Sequence, residues 1–190
     1  MRLVYGLGRS GLGVLRFLRK RGLPARFYDD RPREEEVREA LALGFQPDWN
    51  LEEAYEEVVA APGVPLDHPH LKRLAARGAK VLGEAELAYR LSPTPIVGIT
   101  GTAGKTSTTL FTAHLLRAHG LRAREGGNVD PPLVSVVDEA EVAVAELSAG
   151  VMPLKIHRVL PDGSEEVWSC GDLHVPSWLL QHAERVSSLR

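Results

Sequence analysis

The stretch that decides the fold is Pro95-Ile-Val-Gly-Ile-Thr-Gly-Thr-Ala-Gly-Lys-Thr-Ser-Thr-Thr109, a short apolar strand followed by a glycine-rich turn and the start of a helix. Backbone N–H groups of such a turn surround phosphate oxygens, and the helix start adds partial positive charge. Lys105 would reach the terminal phosphates of a nucleoside triphosphate, and the Thr106 hydroxyl would bind Mg²⁺. The spacing departs from the consensus phosphate loop, because Ile99 stands where the first glycine is required. An ordinary strand-to-helix turn is the alternative, which the order of strand, loop, Lys-Thr and helix disfavours.

A second glycine-rich loop, Gly6-Leu-Gly-Arg-Ser-Gly11, follows a strand over 3–5 and precedes a predicted helix over 14–21. The next strand, over 25–28, ends in Asp29-Asp30-Arg31. A βαβ unit with acidic residues about twenty positions after the glycines is the usual context of a dinucleotide site. The residues alone leave three alternatives open: NAD(P), another nucleotide, or a Rossmann-like scaffold without a ligand.

Strands and helices alternate up to residue 92, where Ser92-Pro-Thr-Pro95 interrupts the pattern as an interdomain linker does. We therefore expect an α/β fold in three parts: a Rossmann-like parallel-sheet domain over residues 1–92, the first part of a P-loop ATPase α/β domain over 93–148, and an atypical tail over 149–190. In the tail, alternation and a turn signal predict a hairpin of strands 154–160 and 165–170, followed by an amphipathic helix over 176–189.

Two segments of the second part place polar groups at the ends of predicted strands. Gly126-Gly127-Asn128 is predicted to form a turn after a strand over 121–124, and the strand Val142–Ala145 leads into Glu146. P-loop enzymes place a Mg²⁺-related carboxylate at the position of Glu146. The helix predicted over 107–119 should direct its apolar residues inward, namely Leu110, Ala113, Leu115 and Leu116.

Composition argues against several classes of protein. The net charge of −2 gives no reason to expect a nucleic-acid or anionic-membrane partner, and no apolar run approaches the ~20 residues of a membrane span. Cys170 is the only cysteine, which excludes an internal disulfide and a cysteine-based metal cluster. A cytoplasmic protein is the expectation. His68 and His70 are interpreted as solvated residues at a helix start, because no carboxylate or cysteine spacing accompanies them.

Together these motifs resemble the Mur ligases of peptidoglycan precursor synthesis. The resemblance rests on Gly6–Gly11, Asp29–Arg31, Pro62-Gly63-Val64, Gly98–Thr106, Gly126–Asn128 and Glu146-Leu-Ser148. The order and rough spacing of these motifs match the family from residue 1 to about residue 148. The branch that the chain most resembles adds D-glutamate to UDP-N-acetylmuramoyl-L-alanine.

The resemblance implies that the first glycine loop serves a UDP-linked peptide precursor and not NAD. That substrate would bind at Gly8, Arg9, Ser10, Asp30, Arg31 and Asn128. ATP would bind at Gly101, Thr102, Gly104, Lys105, Thr106 and Ser107, with Mg²⁺ held by Thr106 and Glu146. Lys105 and Glu146 would be the catalytic residues. In the implied reaction a substrate carboxylate attacks the γ-phosphate of ATP, and the amine of D-glutamate then displaces phosphate from the acyl phosphate.

The chain departs from the family pattern at three places. Ala61 and Ala103 stand where family members commonly have Ser and Asn, changes that leave the backbone contacts intact. After Ser148 the similarity ends, and 42 residues are too few for the rest of the ATPase domain and a third domain. We therefore expect an ATP-dependent ligase by family whose reaction this chain does not complete. A non-catalytic nucleotide-binding or interaction module, or an NAD(P)-binding protein, is the alternative.

Overall fold

The computed structural model describes residues 1–65, 67–147, 155–159 and 165–169. The chain divides into two compact units, Met1–Val151 and Met152–Arg190, and both glycine-rich loops lie in the first. The first unit contains two separate parallel sheets, one formed before residue 84 and one after residue 95. The domain boundary near residue 92 stays a prediction.

The first sheet has five strands in the order β3-β2-β1-β4-β5, and every neighbouring pair is parallel. The strands are β1 Arg2–Tyr5, β2 Ala25–Tyr28, β3 Gln46–Pro47, β4 Glu57–Ala60 and β5 Lys80–Gly83. The strand order reverses between β1 and β4, and open α/β sheets bind ligands outside the carboxyl ends of the strands at such a point. The α/β class with a Rossmann-like first sheet is therefore confirmed.

Helices cover both faces of this sheet because the side chains of its strands alternate between two cores. Val4, Phe27 and Val59 belong to one apolar core, and Leu3 and Tyr5 belong to the other. The helices are α1 Gly8–Lys20, α2 Glu34–Ala42, α3 Pro69–Ala76 and α4 Glu84–Leu91.

Helix α1 begins inside the first glycine loop, six residues before the start that apolar periodicity predicts. Glycine has a low intrinsic helix propensity, so its three occurrences between residues 8 and 13 concealed this turn. The backbone N–H of Leu12 donates to the carbonyl of Leu7 at 3.0 Å, which ties the helix to the end of the loop. The earlier start brings the first turn of α1 to the carboxyl end of β1.

The second sheet has three parallel strands in the order β6-β8-β7. Its elements are β6 Ile96–Ile99, α5 Lys105–Ala118, β7 Ala123–Gly127, α6 Leu133–Val136 and β8 Val142–Glu146. The expected turn at Gly126–Asn128 is partly wrong: Gly126 and Gly127 pair with Ala145 and Glu146, so the strand continues to Gly127. Asn128 therefore follows directly beside the end of β8.

Helix α5 packs on the second sheet through its small residues. Ala113 and Thr109 are fully buried, whereas Leu110 is 42% exposed, Leu115 is 43% exposed and Phe111 is 62% exposed. The expectation that Leu110 and Leu115 face inward is therefore wrong. Among the described residues, the sheet beneath α5 has only three strands, so part of the apolar surface of this helix has nothing to pack against.

Residues of α4 and α6 connect the two parts of the first unit. The apolar core that contains Leu87 also contains Leu133 and Val134. The buried carboxylate of Glu84 accepts the N–H of Val134 at 2.6 Å. This packing joins α4, which directly follows the last strand of the first sheet, to α6, the short helix that follows β7.

In the second unit the described residues form an antiparallel pair of strands, β9 Lys155–Val159 and β10 Glu165–Ser169, with Glu165 opposite Val159. The helix predicted over 176–189 lies outside the described residues. Within the part of the chain that the structure describes, no helix combines the length and apolar character needed to cross a membrane.

Candidate functional site

A cavity of about 640 Å³ opens at the carboxyl ends of β1 and β4. Backbone of the first glycine loop forms one wall, the loop after β4 a second, and the segment after β7 a third. The lining residues are Gly6, Leu7, Gly8, Arg9, Ser10, Asp29, Ala61, Pro62, Gly63, Val64, Gly127, Asn128, Asp130 and Pro132. Because α1 starts at Gly8, the cavity lies at a helix N-terminus, where backbone N–H groups favour an anion.

Four of the six predicted substrate-binding residues line this cavity: Gly8, Arg9, Ser10 and Asn128. Asp30 and Arg31 lie outside its lining, and Asp29 takes the position at the wall. One carboxylate oxygen of Asp29 accepts the N–H of Leu7 at 2.7 Å and the other accepts the N–H of Arg31 at 2.8 Å. Asp29 thus holds the glycine loop against the end of β2. Its place at the strand end signalled this role, which the sequence prediction did not assign to it.

Arg9 and Asp130 form an ion pair of 3.1 Å across the rim of the cavity. Their side chains are 80% and 63% exposed, so the pair contributes little to stability and separates at little cost. Arg9 belongs to α1 and Asp130 to the segment after β7. The guanidinium is therefore placed to exchange a carboxylate partner for a ligand phosphate.

The second glycine loop brings Lys105, Thr106 and Glu146 to the carboxyl edge of the second sheet. Lys105 is the first residue of α5, and its ammonium donates to the carbonyl oxygen of Gly101 at 2.8 Å. Thr106 donates its hydroxyl to a carboxylate oxygen of Glu146 at 2.7 Å, although 40 residues separate the two in sequence. Of the other residues predicted to bind ATP, Gly101 is half-buried, and Thr102, Gly104 and Ser107 are exposed on the loop and the first turn.

The donor atoms of Thr106 and Glu146 suit a hard cation. Mg²⁺ takes oxygen ligands, typically one or two carboxylates together with water and substrate phosphates. A hydroxyl and a carboxylate oxygen 2.7 Å apart, at the end of a phosphate-type loop, meet that requirement. Glu146 is 9% exposed, and its position between β6 and β7 fixes its backbone.

One backbone hydrogen bond connects the lining of the cavity to Glu146, the hydrogen-bond partner of Thr106. Asn128 lines the cavity, and its N–H donates to the carbonyl oxygen of Glu146 at 2.9 Å. Gly127 makes this approach possible, since a Cβ there would lie 2.5 Å from the same carbonyl oxygen and the residue has φ of +101°. The two candidate sites are therefore neighbours along the edge formed by β7 and β8.

Among the described residues, Glu84 is a carboxyl group whose pKa is shifted toward neutrality. Burial raises the pKa of Glu84 to about 7, although the N–H groups of Val134 and Leu133 oppose this shift. The group lies at the junction of α4 and α6 and outside the cavity lining. Its environment therefore bears on stability rather than on the candidate chemistry.

Asp30 meets the two histidines at the start of α3. His68 Nε2 lies 3.6 Å from one carboxylate oxygen of Asp30, and His70 Nδ1 lies 3.5 Å from the other. The buried Tyr5 donates its hydroxyl to Asp30 at 2.8 Å, and burial followed by that hydrogen bond raises the pKa of Tyr5 above its ordinary value. The His68 ring also accepts the N–H of His70, as expected of a helix-start residue. The carboxylate that the local sequence spacing lacks is thus supplied by the end of β2.

Comparison with known proteins identifies relatives of the chain. Residues 1–83 match the family described as Mur ligase MurD-like, N-terminal domain. The chain is 99% identical over 161 residues to the UDP-N-acetylmuramoylalanine–D-glutamate ligase of Thermus thermophilus, covering 85% of this chain and 38% of that protein. It is 59% identical over 148 residues to the ligase of the same name from Deinococcus radiodurans, covering 77% of this chain and 32% of that protein.

Among solved structures, the UDP-N-acetylmuramate:L-alanyl-gamma-D-glutamyl-meso-diaminopimelate ligase of Neisseria meningitides superposes with a TM-score of 0.49 at 16% identity, covering 76% of this chain and 51% of that one. The chain spans about a third of the length of the two curated relatives. The alignment with the Thermus ligase covers 161 residues and so continues beyond the last motif at Glu146–Ser148. Residues 1–83 of the chain therefore form a domain of the type described as Mur ligase MurD-like, N-terminal domain.

Proposed function

We propose that this chain is the part of an ATP-dependent amide ligase that binds the UDP-linked substrate and the phosphates of ATP. The ligase adds D-glutamate to UDP-N-acetylmuramoyl-L-alanine during peptidoglycan precursor synthesis in the cytoplasm. One observation carries the proposal: Asn128 lines the cavity at α1, and its N–H bonds to Glu146, which accepts the hydroxyl of Thr106. Two neighbouring phosphate-type sites suit a reaction in which a group on a UDP-linked substrate meets the γ-phosphate of ATP. Two unrelated functions would not require the sites to be neighbours.

The diphosphate of the UDP moiety occupies the cavity at the start of α1. Backbone N–H groups at Gly8, Arg9 and Ser10 supply hydrogen bonds and the helix dipole supplies partial positive charge. The guanidinium of Arg9 leaves Asp130 and pairs with a phosphate. Asp30 and Arg31, which follow the wall residue Asp29, lie on the side of the uridine, and Asn128 faces the sugar-peptide side.

ATP binds along the loop from Gly101 to Ser107. The ammonium of Lys105 exchanges the carbonyl of Gly101 for phosphate oxygens, which a flexible four-carbon side chain allows. Thr106 and Glu146 would hold Mg²⁺, which supplies charge neutralisation at the phosphates when bound.

The chemistry asked of these residues is positioning and charge stabilisation. A carboxylate of the UDP-linked substrate attacks the γ-phosphorus, ADP leaves, and the amine of D-glutamate displaces phosphate from the resulting acyl phosphate. Lys105 stabilises the negative charge that develops on the transferred phosphoryl oxygens, and the N–H groups of the loop orient them. None of the described residues is assigned to the binding of D-glutamate.

Calorimetry of the chain with UDP-N-acetylmuramoyl-L-alanine, Mg-ATP and NAD in turn tests this proposal. The first two ligands should each bind, and NAD should produce no heat. Arg9→Ala should weaken the UDP-linked ligand and leave ATP unaffected, while Lys105→Ala should do the reverse, so each variant is the other's control. Absence of binding by both ligands, or NAD binding that the UDP-linked ligand does not displace, would overturn the proposal.

The alternative of a non-catalytic nucleotide-binding module is separated by a complementation assay. The part of a relative that lies beyond the region matched by this chain, supplied as a second polypeptide, should support ATP- and D-glutamate-dependent amide formation together with the chain. Nucleotide binding without any turnover under these conditions would favour the non-catalytic module.

A further inference from the structure

Asp30, His68 and His70, here called the His-Asp cluster, lie at the carboxyl edge of the first sheet but outside the lining of the cavity. Asp30 follows β2, and the two histidines flank the first residue of α3. Each residue offers one ligand atom, and these three atoms all lie within 4.8 Å of one another. The cluster therefore comes from two segments that are far apart in sequence and converge through the parallel sheet.

Two separations within the cluster are compatible with a shared metal ion. Ligand atoms bound to tetrahedral zinc at ordinary bond lengths stand about 3.3–3.6 Å apart. One carboxylate oxygen of Asp30 lies 3.6 Å from His68 Nε2, and the other lies 3.5 Å from His70 Nδ1. Both distances are too long for good hydrogen bonds and of the length expected between two ligands of one ion.

Tyr5 supplies a second, independent observation. Its fully buried side chain points its hydroxyl at the cluster, 2.8 Å from Asp30, 3.0 Å from His70 Nδ1 and 3.2 Å from His68 Nδ1. The hydroxyl hydrogen goes to the carboxylate of Asp30. The oxygen of the Tyr5 hydroxyl stays within hydrogen-bond distance of both imidazole rings. This is how outer hydrogen bonds orient metal-binding histidines and carboxylates.

We propose that the His-Asp cluster binds a divalent transition-metal ion of the zinc class. Two imidazoles and one carboxylate form the donor set of open zinc sites, and they suit zinc better than Mg²⁺, which prefers oxygen ligands alone. Asp30 is 40% exposed, so the fourth position is accessible to water or to a ligand oxygen. The cluster shares Asp30 with the uridine side of the proposed substrate site, but its metal binding is measured without any nucleotide.

Metal binding is measured on the full chain by equilibrium dialysis against Zn²⁺ with elemental analysis, and by the visible absorption of added Co²⁺. The unaltered chain should retain one equivalent of zinc more than the double variant His68→Ala, His70→Ala. His114→Ala is the matched control, because His114 is an exposed histidine on α5 outside the cluster, and it should bind as the unaltered chain does. Tyr5→Phe should weaken the site about tenfold while leaving its stoichiometry unchanged.

Equal zinc binding by the unaltered chain and the double variant would overturn the proposal, and so would a Co²⁺ spectrum dominated by thiolate charge transfer, which would assign the ion to Cys170. Far-UV circular dichroism checks that the double variant is folded. Should it be unfolded, Asp30→Asn provides the same comparison with both rings retained. If Mg²⁺ displaced Zn²⁺ from the chain at equal concentration, the assignment to a zinc-class ion would also be contradicted.

Discussion

Gly11 is the residue at which α1 approaches the first glycine loop most closely. A Cβ at this position would overlap the carbonyl oxygen of Gly6, and both groups are fixed by backbone. This close contact between helix and strand is the physical reason for the third glycine of the G-x-G-x-x-G pattern.

Gly11→Ala should therefore destabilise the chain by on the order of 2–3 kcal/mol, since the helix must shift away from β1. Urea unfolding followed by circular dichroism measures the change. Gly63→Ala is the control, because a Cβ there meets nothing within 4 Å, and it should alter stability by less than about 1 kcal/mol. Equal losses in both variants would show that the approach of Gly11 to Gly6 is not the cause.

At the scale of elements, α5 is held to its sheet by a narrow buried face. Thr109 is fully buried, and its hydroxyl has no hydrogen-bond partner among the described residues. A buried hydroxyl without a partner costs free energy that an isosteric methyl group does not.

Thr109→Val should accordingly raise the free energy of unfolding by about 1 kcal/mol, because valine keeps the shape and the β-branching. Thr108→Val makes the same chemical change on the exposed side of α5 and should fall within about 0.5 kcal/mol of the parent. Thermal and urea unfolding of the two variants provide the measurement. A loss of stability in Thr109→Val alone would mean that the hydroxyl has a favourable contact in solution.

The elements that could be predicted from sequence are those whose pattern is local. Helix α4, Glu84–Leu91, ends at the Ser-Pro step that interrupts the alternation of strands and helices. The start of α1 and the end of β7 were missed because both involve glycines, whose propensity is poor and whose state is decided by pairing with distant backbone. The contact of Asp30 with His68 and His70 depends on strand order, which periodicity does not encode.

At the scale of the whole first unit, the two sheets are joined where Glu84 accepts the N–H of Val134 in a buried environment. Arg21 adds a two-bond contact to Asp138, at 2.9 and 2.6 Å, which connects α1 to the segment after α6. The cavity lies between the same two parts of the unit, since its walls come from both. Its shape therefore depends on a junction that contains an ionisable group.

Glu84 makes the stability of this junction depend on pH. The carboxyl group ionises near its ordinary pKa of 4.5 in the unfolded chain and near 7 in the folded chain, because burial disfavours the charged form. Between these values the folded state holds the additional proton, so the contribution of Glu84 to stability falls as pH rises from about 4.5 to about 7 and is constant above. The fall is on the order of 3 kcal/mol.

Glu84→Gln removes this titration and keeps an oxygen that accepts the N–H of Val134. Urea unfolding at pH 5, 6, 7 and 8 should show the variant gaining stability relative to the parent as pH rises, with most of the gain complete by pH 7. The difference between variant and parent cancels the opposite contributions of Asp48, Glu125 and Asp138, whose pKa values are lowered in the folded state. Glu35→Gln, an exposed change on α2, should give a difference that is flat across this range. A flat difference for Glu84→Gln as well would mean that water reaches the carboxylate and that the junction of the two sheets is open in solution.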